Sequence, residues 1–124
     1  MQLIPYSLYP TFIRPLLFLL DAETAHGVII NSAKFMSKNP WKTLFSQTVA
    51  FRPVQMMGLQ FKNPVGLAAG LDKNGDAIDF FGALGFGHIE VGTVTTKEQH
   101  GNPKPRMFRI KGHQDIINRK VFKN

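Results

Sequence analysis

Cysteine is absent from the chain. That excludes a disulfide scaffold, a thiolate metal site and a cysteine nucleophile, and no metal centre is expected. Long apolar runs are lacking too. The longest, Leu16 to Leu20, falls far below the roughly 20 residues a membrane-spanning helix requires. Residues 1–10 show neither a charged leader with a signal-length apolar core nor an Arg-rich, acid-poor transit pattern, so the chain is expected to start at its functional beginning. Acidic residues are few: eight Asp plus Glu against fifteen Lys plus Arg, a net charge of +7. Such an excess suits an anionic partner, whether phosphate, nucleic acid or a lipid surface. The positive residues are scattered, however, with no Lys/Arg run and no aromatic ladder, which argues against nucleic acid.

What is present points to a folded chain. At 124 residues, with 44% hydrophobic residues and eleven Phe, one domain with a real core is expected. Leu8, Phe12, Leu16, Leu17 and Leu20 recur at helical spacing; Pro10 suits a first turn and Pro15 must kink or split the helix. Asp21 reads as the N-cap of a second helix with Glu23 in its first turn. Ala25, Ile29, Ala33 and Met36 give that helix an apolar face, and Asn39-Pro40 ends it. Residues 1–40 thus form an amphipathic helical hairpin. It either packs on the rest of the domain or lies in a membrane interface. Residues 41–52 read as a connector with a short helical turn, and 53–124 as an α/β portion.

The centre of that portion is Asn63-Pro64-Val65-Gly66-Leu67-Ala68-Ala69-Gly70-Leu71-Asp72-Lys73-Asn74-Gly75. Met57, Leu59 and Phe61 alternate with Gly58 and Gln60, which predicts a half-buried strand, and Lys62-Asn63-Pro64 turns it into the next one. Val65 to Ala69 is apolar without alternation, as in a parallel strand covered on both faces. Gly66 and Gly70 would let a flat ligand lie against the backbone, and Gly75 can take a positive φ. A helix over Asp76–Leu84, ended by Gly85 and Gly87, and a strand over His88–Val94 complete one βαβ unit. Lys73 and Thr93 then follow the C-terminal ends of neighbouring parallel strands, the rim where α/β folds place ligands. By residue type alone this is a phosphate or sugar site, or a solvated surface lysine beside Asp72; His26 is by default a surface or core histidine and Arg109 an exposed strand residue.

Asn63 to Gly75, then Gly82-Ala83-Leu84-Gly85-Phe86-Gly87-His88-Ile89-Glu90-Val91-Gly92-Thr93-Val94-Thr95, Gly101-Asn102-Pro103-Lys104-Pro105-Arg106-Met107-Phe108-Arg109 and Asp21-Ala22-Glu23-Thr24-Ala25-His26 closely resemble the membrane-associated, quinone-linked class of dihydroorotate dehydrogenase. The resemblance extends over residues 1–119. It implies an α/β fold in which the helical hairpin is followed by the first part of an incomplete (β/α)8 barrel, a fold that typically needs about 250 residues. It also implies oxidation of dihydroorotate to orotate in pyrimidine biosynthesis, through FMN, to a membrane quinone. The general base and the FMN phosphate loops would belong to the missing barrel, and the chain alone would be inactive.

By the same resemblance, Ala69, Gly70, Leu71, Asp72, Lys73 and Thr93 correspond to cofactor contacts. Lys73, Asn118, Arg119 and Phe122 correspond to substrate contacts, and His26 with Arg109 to the quinone site at the mouth of a tunnel through the hairpin. A lysine's point charge suits an anionic substrate and a reduced flavin; an asparagine, both donor and acceptor, suits a pyrimidine edge. The implied location is peripheral, on the cytoplasmic face of the bacterial inner membrane. After Arg119 the family pattern has an apolar or aromatic residue, Gly, Phe and Asn, where this chain has Lys120-Val121-Phe122-Lys123-Asn124. A small basic membrane-associated protein without enzymatic activity, and a non-functional truncated gene product, remain open alternatives.

Overall fold

A computed structural model describes residues 7–47, 49–110, 112 and 115–119. A π-helical turn, Tyr9–Ile13, runs into α1, Arg14–Leu19, and each carries a proline in its first turn, Pro10 and Pro15. Ile13 and Arg14 keep right-handed helical φ/ψ, so the helical path runs on through Pro15. Its missing N–H marks the change from π-helical to α-helical turns and does not split the segment. Asp21 opens α2, Ala22–Ser37. Its Oδ1 accepts the N–H of Glu23 at 3.0 Å and of Thr24 at 2.9 Å, the cap the sequence predicts. Pro40–Phe45 is a 3-10 turn. Then follow β1, Val54–Met56, β2, Leu59–Phe61, and β3, Gly66–Leu67. The chain continues through α3, Ile78–Ala83, β4, His88–Ile89, β5, Met107–Ile110, and β6, Asp115–Asn118.

The chain packs as two compact units that divide inside α2. One unit runs over Ile30–Gly92 and has an apolar centre: Ala33 from α2 and Ala77, Phe80 and Phe81 around α3 are buried together, with Phe45, Leu67, Leu71 and Ile89 packed against them. Polar contacts dock the end of α2 on α3. Lys34 Nζ lies 2.7 Å from Asp76 Oδ1, and Ser37 Oγ accepts the Phe80 N–H at 3.2 Å. The Lys34 hydrogen bond holds the Asp76 carboxyl below the ordinary aspartate range. Between β3 and β4 the pairing is parallel, Gly66 opposite His88 and Leu67 opposite Ile89, so the expected βαβ unit is present.

Its strands are shorter and more open than expected. The apolar run Val65 to Ala69 yields a two-residue strand, and Val65 is 59% exposed. Among the described residues β3 pairs with β4 alone, so the second face and outer edge that would bury Val65 have no covering strand. His88–Val94 likewise shortens to His88–Ile89. The predicted strand from Met57 to Phe61 is replaced by a hairpin, β1 against β2 with Val54 opposite Phe61 and Met56 opposite Leu59. Met57 (φ 52°) and Gly58 (φ 75°) form its turn. Positive φ at both central positions matches the twist of a two-residue hairpin turn, so Met57 belongs to the turn although it fits the alternation. Gly85 ends α3 with φ 99°, as expected. Gly87 serves a different purpose: a Cβ there would collide with the Asn63 backbone, and its N–H reaches the Val65 carbonyl at 2.8 Å.

The other unit joins Pro5–Ile29 to Thr93–Asn124. Here β5 and β6 form an antiparallel hairpin from Met107 opposite Asn118 to Ile110 opposite Asp115. Ala22, Ala25 and Arg106 are its buried residues among those described. No helix among the described residues is long and apolar enough to cross a membrane.

Candidate functional site

Beyond β3 the chain is locked into a rim by Asp72. This aspartate is 3% exposed; its Oδ1 accepts the Asp76 N–H at 2.9 Å and its Oδ2 the Ala77 N–H at 2.8 Å. Both carboxylate oxygens are thereby committed to the loop that precedes α3, and Asp72 offers a ligand only its backbone. Gly75, at φ 69°, lets the loop turn as predicted. Lys73, half-buried, has its carbonyl fixed by the Gly92 N–H at 3.1 Å, which ties the loop after β3 to the residue that follows β4. Leu71 packs into the apolar centre.

The two glycines thought to admit a flat ligand separate in role. A Cβ at Gly66 would strike the imidazole of His88, so that glycine makes room for a neighbouring strand's side chain and the expectation of a ligand there is corrected. A Cβ at Gly70 would meet nothing within 4 Å. Gly70 therefore has open space beside its Cα, with Lys73 three residues on. Thr93, exposed, begins the segment that belongs to the second unit.

In that second unit the chemistry rests on three arginines. Arg109, on β5, donates through Nη1 to the Leu20 carbonyl at 2.5 Å and through Nη2 to the Leu17 carbonyl at 3.2 Å. Its guanidinium lies 4.4 Å from the centre of the Phe18 ring. It thus caps the C-terminal carbonyls of α1, where a cation is favoured, and stacks on an aromatic face. Arg106 is 4% exposed and sends Nε, at 2.9 Å, and Nη2, at 2.5 Å, to Glu23 Oε1, with Nη1 3.2 Å from the Asn102 carbonyl. Arg119 donates through Nε and Nη2 to the Pro105 carbonyl at 3.1 and 2.9 Å, while its N–H bonds the Arg106 carbonyl at 3.0 Å.

His26 is half-buried on α2, one turn beyond Glu23, in the same unit as Arg109. Asn118 is exposed at the end of β6, and Phe122 lies outside the described residues. Two cavities among the described residues have neither His26 nor Asn118 in their lining. One of about 610 Å³ opens among Phe35, Met36, Trp41, Leu44 and Phe45; the other, about 330 Å³, is lined by Asp21, Glu23, Lys104 and Arg106.

The family model for dihydroorotate dehydrogenase matches residues 52–124, more than half of the chain. The chain belongs to the dihydroorotate dehydrogenase family. It is 59% identical over 114 residues to the dihydroorotate dehydrogenase (quinone) of Actinobacillus pleuropneumoniae serotype 3 (strain JL03), a match covering 92% of this chain and 33% of that one. To the dihydroorotate dehydrogenase (quinone) of Proteus mirabilis it is 52% identical, over 94% of this chain and 35% of that one. Among solved structures, the dihydroorotate dehydrogenase of Eimeria tenella in complex with ferulenol matches with a TM-score of 0.71 and 39% identity, covering 88% of this chain and 30% of that one. The chain therefore spans about a third of the length of the curated relatives it matches.

Family membership leaves the buried Arg106–Glu23 pair as the feature that sequence reasoning missed. Glu23 reads as a helix-dipole residue and Arg106 as part of a proline-bearing loop. No local signal points to the pair, because nothing in Pro105-Arg106-Met107 tells a buried guanidinium from a solvated one.

Proposed function

We propose that this chain forms the first third of a quinone-linked dihydroorotate dehydrogenase. It would oxidise dihydroorotate to orotate and pass the electrons to a membrane quinone. Residues 1–40 are the helical hairpin that meets the membrane and the quinone, 41–52 the connector, and 53–124 the opening hairpin and βαβ portion of a (β/α)8 barrel. The observation that carries the reading is the rim Ala69–Lys73, where open backbone at Gly70 stands beside a lysine fixed through its own carbonyl. When bound, FMN supplies the redox chemistry.

Ala69, Gly70 and the backbone of Leu71 and Asp72 would lie along the flavin, with Thr93 contributing a hydroxyl. Lys73 orients the anionic substrate and stabilises negative charge on the ring. Asn118 recognises the amide edge of the pyrimidine, with Arg119 and Phe122 in the same substrate role. His26 and Arg109 present donors to the two carbonyls of a quinone. The protein would sit peripherally on the cytoplasmic face of a bacterial inner membrane, held by the apolar faces of the hairpin and by net positive charge. Residues 1–124 alone are expected to hold no stoichiometric FMN, because two-residue strands with open edges do not make a stable site.

Lys73→Ala in the flavin-loaded, full-length protein tests the reading. It should weaken binding of dihydroorotate by about ten-fold or more, the scale of a lost charge-assisted contact, and slow flavin reduction. Stopped-flow reduction that is unchanged at every substrate concentration removes Lys73 from the site.

A further inference from the structure

We propose that Arg106 is a positioning residue for the quinone-side pair, His26 and Arg109, a role that rests on the reading of those two residues given above. Arg106 immediately precedes β5, and Arg109 lies three residues further along the same segment. Glu23 and His26 are likewise three apart on α2, so their side chains rise from one face of the helix a single turn apart. The fork from Arg106 Nε and Nη2 to Glu23 Oε1 therefore ties the turn that bears His26 to the strand that bears Arg109.

The grip is two-sided. Arg109 holds the carbonyls of Leu17 and Leu20 at the end of α1, and Arg106 holds the first turn of α2; the corner at Leu20 and Asp21 lies between them. The same Arg106 carbonyl accepts the Arg119 N–H, so strand and helix are fixed about one residue. Side-chain exposures of 5% for Arg106 and 15% for Glu23 mean that both charges have been taken largely out of water, a cost that apolar residues of similar volume would avoid. What the ion pair adds over such residues is direction. Two guanidinium N–H groups converging on the one oxygen Glu23 Oε1 hold that oxygen near the guanidinium plane as well as at a set distance, and a ligand held at both ends by separate donors needs their spacing set.

The test uses the flavin-loaded, full-length protein, with a short-chain ubiquinone as probe. Three quantities are read: KM for the quinone, its calorimetric Kd, and the rate of flavin reduction by dihydroorotate. Glu23→Gln, Arg106→Lys and Arg106→Met should each raise quinone KM and Kd about ten-fold, within the range that a misplaced contact produces. Flavin reduction should stay within about two-fold of the parent, because the affected donors serve the other half-reaction. His26→Ala and Arg109→Ala serve as controls for the underlying reading. Should the controls raise the quinone constants while folded Arg106→Met and Glu23→Gln leave them unchanged, the positioning role is overturned and the quinone site stands. If the controls leave them unchanged, the quinone site itself fails. Equal losses in both half-reactions, tracking the loss of folded protein, reduce Arg106 to a structural role; should Arg106→Met not fold, Glu23→Gln decides alone.

Discussion

Between Ile30 and Gly92 the packing is done by phenylalanine, whereas in the unit that joins the start of α2 to β5 and β6 it is done by arginine. Phe80 and Phe81 fill the space between α3 and its neighbours with Phe45 edge-on to Phe80, ring centres 5.7 Å apart. Arg106, Arg109 and Arg119 instead reach across to a carboxylate and to backbone carbonyls. Apolar contact is non-directional and follows the area removed from water. Guanidinium contacts are few and directional, and each fixes a particular pair of elements. The first kind of packing sets up a rim that holds Lys73; the second orients side chains against one another.

The difference can be broken most severely on the phenylalanine side. Phe81→Ala should cost about 3–5 kcal/mol, the usual loss for a large buried aromatic, and chemical denaturation with amide exchange should show protection lost first in α3 and β4. Loss confined to β5 and β6 would mean that the apolar centre is not where the stability of the first unit resides. On the arginine side, Arg106→Ala should cost about 3 kcal/mol, since truncation leaves a largely buried carboxylate without its guanidinium. Arg106→Met refills the volume but leaves the Glu23 carboxylate equally unpaired, so it should recover little of that in a thermal melt, whereas Arg106→Met combined with Glu23→Leu should recover most of it. If the double variant is as damaging as Ala, charge pairing rather than volume stabilises this unit, and the contrast between the two units sharpens.

The smallest effect falls on the polar contact within the phenylalanine unit. Asp76 is held below its ordinary range by the Lys34 hydrogen bond. A carboxyl whose folded value is depressed contributes stability in full above the unfolded value, about 4, and loses it as pH falls through the folded one. Both side chains are partly exposed, 45% for Lys34 and 31% for Asp76, so the pair is worth less than about 1 kcal/mol. Asp76→Asn should lower stability slightly at pH 7 and converge with the parent once acid has protonated the depressed Asp76 carboxyl in the folded state. A gap between the two that widens with acid contradicts this sign.

How much of this could be read from the chain follows the same divide. Asp21, Ala25, Ile29 and Ala33 announce α2 because a cap and an apolar face are local patterns. Gly75 and Gly85 announce the ends of loops because a positive φ favours one residue. The hairpin of β1 and β2 was legible only in part: Met57 keeps the alternation of Leu59 and Phe61, while Met-Gly lacks the Asn-Gly or Asp-Gly signal of a two-residue turn. Val65 reads as a buried strand residue because apolar runs encode partners, and its exposure reflects which partners are present. Lys73, His26 and Arg109 were proposed by likeness to a family, not read from a local pattern. Arg106 was not found, since no local pattern tells a surface arginine from one whose carboxylate lies far away in the chain.

The bond from the Gly92 N–H to the Lys73 carbonyl carries a consequence for time. With Asp72 clamping the following turn, the backbone at Lys73 has little freedom to swing as a lid, a motion that elsewhere takes microseconds or longer. Its ammonium can still explore the rim through side-chain torsions, which turn over in picoseconds to nanoseconds. On the anion-binding role proposed for Lys73, any pause on the anion's path is expected to arise elsewhere, and fast mixing should find no slow phase that Lys73→Ala abolishes.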